Sequence, residues 1–121
     1  MKTKDKAVII VAGSRRFNNY NFVAGALEAL IGDQDVIIMT GGATGVDTLA
    51  HQWAGKKKLD RHVINADWKK YGKAAGPMRN EKMAKQASHL IAFDGNTIGT
   101  NHMIQCARKC GLITKIVKIG N

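Results

Sequence analysis

The chain is short of proline, cysteine, aromatic rings and acid. A single proline, Pro77, the lack of any low-complexity run and a hydrophobic content of 45% argue against a disordered segment. Only two cysteines are present, Cys106 and Cys110, four apart on what reads as one helix. That is no disulfide framework of the kind small secreted domains use. No apolar run approaches the roughly 20 residues a membrane helix needs. The lysine-rich opening leads into an apolar run of about six residues, too short for a signal-peptide core. A soluble, cytoplasmic protein without membrane association is expected.

Acidic residues number 9 against 19 basic, for a formal net charge of +10. Between residues 56 and 85, ten lysines and arginines face only Asp60, Asp67 and Glu81. A surface so biased steers phosphate-rich partners toward it, whether nucleotides or nucleic acid; it is also what a lysine-solubilised face looks like.

Apolar runs alternate with stretches of helical period. Residues 7–12 (AVIIVA), 35–39 (DVIIM), 62–66 (HVINA), 89–93 (HLIAF) and 113–119 (ITKIVKI) read as strands. The first, second and fourth are nearly continuous in apolar residues, as parallel strands covered on both faces are. Phe22, Val23, Ala26, Leu27, Leu30 and Ile31 form one helical stripe, and Val46, Leu49, Ala50, Trp53 and Ala54 a second. A third helix is expected to begin at Pro77 with Met83, Ala84 and Ala87 inward, and a fourth to run over about 98–110 and stop at Gly111.

This alternation predicts one α/β domain over residues 1–121, a doubly wound Rossmann-like fold. Its sheet is mostly parallel and five-stranded, flanked by helices, in the order 3-2-1-4-5. The sheet then grows in opposite directions from strands 1 and 4, and ligands bind at that reversal. Loops 13–17, 40–45 and 94–100 converge there.

Each loop has two readings. In GSRRF, Gly13 ends a strand, and Ser14 and Arg15 can grip a phosphate; equally, Ser14 caps the turn and the arginines are solvated. In TGGATG, Gly41, Gly42 and Gly45 clear the way to a helix N-terminus, whose free N–H groups favour an anion. The spacing is neither the dinucleotide fingerprint nor a Walker loop. Thr44 as N-cap would make Asp47 its capping-box partner. Alternatively Asp47 accepts ribose hydroxyls or acts as a base, with His51 one turn further as a polar neighbour or a bystander. DGNTIGT repeats the design with Asp94, Gly95, Gly99 and Thr100. Two such loops suit a phosphate pair, or a phosphate and a ribose.

The connection 65–76 exceeds the usual two to six residues for such a loop. It sets Trp68 and Tyr71 among Lys69, Lys70 and Lys73, a composition fitted to a nucleobase or to successive bases of a single strand; Trp68 pinning the loop to the domain is the plainer alternative. Arg79, beside Asn80 on the first turn of the next helix, is the foremost ligand-facing cation. His102, Cys106 and Cys110 recur every four residues. They lack a fourth donor for zinc, so packing is expected and no metal.

GSRRF, TGGATGVDTLAHQWA, GPMRNEKMA and DGNTIGTNHMI together resemble the SLOG superfamily, which groups the Smf/DprA proteins with the LOG nucleotide hydrolases. The resemblance covers nearly the whole chain and is nearest to the short YspA-like branch. In LOG enzymes, which cleave the N-glycosidic bond of nucleoside monophosphates, an arginine and a glutamate carry the chemistry. Arg79 matches the arginine, but the glutamate's place, three residues after Thr100, is Met103. A thioether neither accepts a proton nor steadies an oxocarbenium ion. Asp47, Asp94 and Glu81 are the carboxylates left to stand in; the catalytic residues stay unassigned, with Arg79 and Asp47 as candidates. The resemblance thus implies a binding protein for a nucleotide or an NAD- or ADP-ribose-derived molecule, as sensor or sink, without a cofactor. It also implies a homo-oligomer. Ribosyl hydrolysis and DprA-like binding of single-stranded nucleic acid are its rivals.

Overall fold

The computed structural model describes residues 6–120. Residues 1–5, the start of the segment weighed above as a leader, and Asn121 lie outside the described residues. Five parallel strands form one sheet: β1 (Val8–Gly13), β2 (Ile37–Thr40), β3 (Asp60–Val63), β4 (His89–Asp94) and β5 (Ile113–Lys118). Their order is β3-β2-β1-β4-β5, the expected 3-2-1-4-5. Helices α1 (Tyr20–Leu30), α2 (Val46–Lys56), α3 (Trp68–Tyr71), α4 (Ala75–Gln86) and α5 (Ile98–Lys109) fill the crossovers.

Successive side chains on a strand point to opposite faces, so the continuous apolar runs feed two cores. Ile9, Val11, Ile91 and Phe93 pack with Val23 and Leu27 of α1 and Val46, Ala50 and Trp53 of α2. Ile10, Leu90 and Ala92 pack with Met83 and Ala84 of α4 and Met103, Ile104 and Ala107 of α5 on the other face. Helix ends follow local chemistry. The Asn19 side chain accepts from Phe22 N at 3.0 Å to cap α1. At Gly111, φ is +76°, and Gly111 N and Leu112 N donate to the Arg108 and Ala107 carbonyls in a Schellman closure of α5.

Beyond shifts of one or two residues at the ends of other strands, three differences from the sequence reading have a physical reason. Strand β3 lies at 60–63 rather than 62–66, because it pairs with β2 from Ile37↔Asp60 to Thr40↔Val63 and β2 ends there. It is an edge strand with every residue exposed, so its apolar content is no guide to its register. Helix α4 begins at Ala75, two residues before Pro77. Proline is tolerated there because first-turn N–H groups have no intrahelical acceptor. Finally, the long connection is mostly helical: α3 leads through a 3-10 turn, Gly72–Ala74, into α4.

Candidate functional site

At the carboxyl ends of the strands, around the β1/β4 reversal, lies a cleft of about 970 Å3. The sequence-predicted residues Gly13, Ser14, Arg15, Gly41, Gly42, Thr44, Asp47, Trp68, Arg79, Asn80, Gly99 and Thr100 all line it. Gly45, Asp94 and Gly95 do not.

Gly13 and Gly45 are required by packing. A Cβ on Gly13 would stand 2.7 Å from Val46 Cγ2, so its absence lets the start of α2 close onto the end of β1. Gly45 is the N-cap of α2 at φ +76°, and a Cβ there would collide with the Ser14 carbonyl oxygen. The first N–H of the helix, on Val46, donates to that oxygen at 3.1 Å. The expected capping box between Thr44 and Asp47 therefore does not form: the Thr44 hydroxyl donates to the Arg15 carbonyl at 3.1 Å instead. The positive φ at Gly45 lets α2 start one residue later and swings Asp47 back beneath its own loop.

There the Asp47 carboxylate is the anion that the loop encloses. Its Oδ2 accepts from Gly41 N at 3.1 Å and Ala43 N at 3.2 Å. Its Oδ1 has no hydrogen bond among the described residues, and Asp47 is one of the residues that line the cleft. Burial pushes the Asp47 carboxyl up to about 6, against the Ala43 amide, the Arg79 charge and the Gly41 amide, which all favour the ionised form.

Arg79 lies across Gly41, where any Cβ would meet its guanidinium. It donates to the Gly41 carbonyl at 2.7 Å and, through Nε, to Asn80 Oδ1 at 3.0 Å. Burial depresses its pKa, Asp47 opposes that, and Arg15 adds to it. Arg79 is thus a half-buried clamp on the β2 loop as well as a cation of the cleft.

The β4 loop is built otherwise. Asp94 Oδ1 accepts from Asn96 N at 2.9 Å, Lys118 Nζ lies 3.5 Å from its Oδ2, and Gly95 sits against Ile119. Both residues thus lie against the edge strand β5 and the residue after it, outside the cleft lining. The Thr97 hydroxyl caps α5, accepting from Thr100 N at 3.3 Å and donating to Thr100 Oγ1 at 2.9 Å. Gly99 is exposed, and a Cβ there would meet nothing within 4 Å.

On the rim, Trp68 packs against its own domain, the plainer of its two readings. Its ring edge covers Gly76, whose Cβ would lie 3.0 Å from Cη2, yet the side chain stays 55% exposed. Arg16 and Lys73, weighed in sequence only as members of their loops, also line the cleft, and sequence reasoning missed Asn65 and His102 as lining residues. His102 had a signal: it lies three residues after Gly99, hence on the same helical face. Cys106 is buried and Cys110 exposed, and among the described residues no group of His, Cys, Asp and Glu is arranged to hold a metal.

A family model, described as the YspA, cpYpsA-related SLOG family, matches residues 7–71, which carry the β1 and β2 loops and the Trp68 rim. The chain belongs to this SLOG family. Gene 61 protein of Mycobacterium phage D29 is similar to this SLOG chain, 30% identical over 113 residues, covering 86% of it and 90% of the phage protein. Among solved structures, DNA processing protein A (DprA) from Streptococcus pneumoniae superposes with a TM-score of 0.76 at 18% identity, over 92% of this chain and 50% of that one. The structural-genomics target TM1055 does so with a TM-score of 0.69 at 18% identity, over 89% and 72%. The SLOG chain spans half the length of the DprA structure, and at such identities both likenesses are of fold.

Proposed function

We propose that this SLOG domain binds a phosphate-bearing nucleotide, or an NAD- or ADP-ribose-derived molecule, in the β1/β4 cleft, and senses or sequesters it without cleaving it. One observation carries the reading. Arg15, Arg16, Lys73 and Arg79 line the cleft, against Asp47 as the single carboxylate among its lining residues. An anion is the complement of such a surface, and 970 Å3 is at the upper end of small-molecule sites. Ser14, Arg15 and the first turn of α5 at Gly99 and Thr100 take the phosphates. Asp47 Oδ1 takes a ribose hydroxyl, and the exposed face of Trp68 takes the base.

Two features weigh against hydrolysis of a ribosyl bond. Met103, in the glutamate's place, is 2% exposed. Asp47 commits Oδ2 to two amides. Incubation with nucleoside monophosphates, NAD and ADP-ribose, followed by chromatography, is expected to show stoichiometric binding of unchanged ligand; a released base would establish the hydrolase. The nucleic-acid reading has its own support in Trp68 and Tyr71, 55% and 42% exposed beside Lys69 and Lys70. It predicts that log affinity falls with log salt by about 0.7 for each phosphate neutralised on a single strand, far steeper over several contacts than for a mononucleotide.

A further inference from the structure

A hydrogen-bonded relay crosses the floor of the cleft from α4 to α5. Arg79 Nε can only donate, so its 3.0 Å bond fixes Asn80 Oδ1 as the acceptor and leaves the Asn80 amide nitrogen facing the other way. That nitrogen lies 3.1 Å from His102 Nδ1. An amide NH2 has no lone pair to offer, so Nδ1 must be unprotonated and the ring proton must sit on Nε2. Asn80 is only 7% exposed, so its orientation is not averaged by solvent. The Cys106 sulfur flanks the ring, 3.7 Å from Nδ1 and 3.6 Å from Nε2, and Nε2 has no oxygen or nitrogen partner among the described residues. His102 lines the cleft.

We propose that His102 contacts the ligand as a fixed hydrogen-bond donor, held as the neutral Nε2–H tautomer by Asn80 and Arg79, and that it reads an uncharged acceptor: a base carbonyl, a ring nitrogen or a ribose oxygen. The ligand role rests on the nucleotide-binding reading; the tautomer does not. Asn80 is a positioning residue in this scheme. The cationic side chains recognise the ligand's charge, and His102 supplies discrimination among ligands of equal charge, because a positioned polar group rejects an analogue that cannot pair with it.

Nitrogen-15 NMR of the ligand-free protein tests the first half. His102 is expected to show the Nε2–H pattern. Asn80→Asp, nearly isosteric, replaces the donor with an acceptor and is expected to move a proton onto Nδ1. A wild-type ring protonated on Nδ1, or one unaltered by Asn80→Asp, overturns the relay. Titration with AMP, ADP-ribose and NAD tests the second half. His102→Phe is expected to weaken binding about tenfold, the worth of one good hydrogen bond. His102→Gln, which returns an N–H near the Nε2 position, is expected to restore most of it. Wild-type affinity in His102→Phe, with its thermal midpoint intact, overturns the ligand contact and leaves the nucleotide site standing. Failure of the wild-type protein to bind any of the three probes overturns the nucleotide reading, and the ligand contact with it.

Discussion

In the loop after β2, Gly41 and Gly45 each answer to a neighbour inside the protein; in the loop after β4, Gly99 answers to none. Gly41 makes room for the Arg79 guanidinium, and Gly45 for the Ser14 carbonyl at a left-handed φ. The first loop is closed on an internal anion, Asp47. The second caps α5 with its own Thr97 and leaves open space beside Gly99. Two stretches of similar composition thus serve different ends, one building the wall of the cleft and one leaving space in it.

The largest expected effect tests the wall. Gly45→Val combines a disfavoured positive φ with a collision against backbone, and is expected to cost about 4 kcal/mol of stability in urea unfolding. A loss below about 1 kcal/mol would mean that the loop closes otherwise.

Next comes the internal anion. Because the Asp47 carboxyl is pushed up to about 6 from its ordinary 3.8, the folded state holds that proton more tightly than the unfolded chain does. Its contribution is therefore fully present below pH 3.8, falls as the pH rises toward about 6, and is flat above. The expected loss across that window is about 3 kcal/mol, since each tenfold difference in proton affinity between the two states is worth about 1.4 kcal/mol. Asp47→Asn, which can still accept from both amides, lacks this slope. Unfolding free energies of the two proteins between pH 4 and 7 check it, and parallel curves would show that the carboxylate is not buried beneath the loop.

The smallest effect tests the open side. Gly99→Ala has nothing to strike, and is expected to leave stability unchanged or raise it by up to about 1 kcal/mol through helix propensity, while weakening ligand binding. The opposite pattern, lost stability with intact binding, would make the two loops alike.

Strand order is legible in the sequence because buried parallel strands are apolar on both faces, as the runs at 7–12 and 89–93 are. The register of β3 is not, since an edge strand such as Asp60–Val63 has no burial to mark it. Among site residues, those beside the strand ends, such as Ser14 and Gly41, follow from topology alone. Spacing brings Asp47 near the cleft, but its partners depend on the φ of Gly45, which spacing does not encode. Asp94 and Gly95 sit in a glycine-rich loop yet are drawn off by Lys118 and Ile119, which no local pattern connects to them. His102 reads in sequence as part of a stripe with two cysteines, because its partner Asn80 lies 22 residues away on another helix.

The most direct test of the nucleotide site is an amide chemical-shift map during titration with AMP, ADP-ribose and NAD. Saturable 1:1 shifts concentrated at Ser14, Arg15, Gly99 and Thr100, with the Lys56–Lys58 face silent, are the predicted result for at least one of the three. Shifts confined to the lysine face, or none with any of them, would contradict the account.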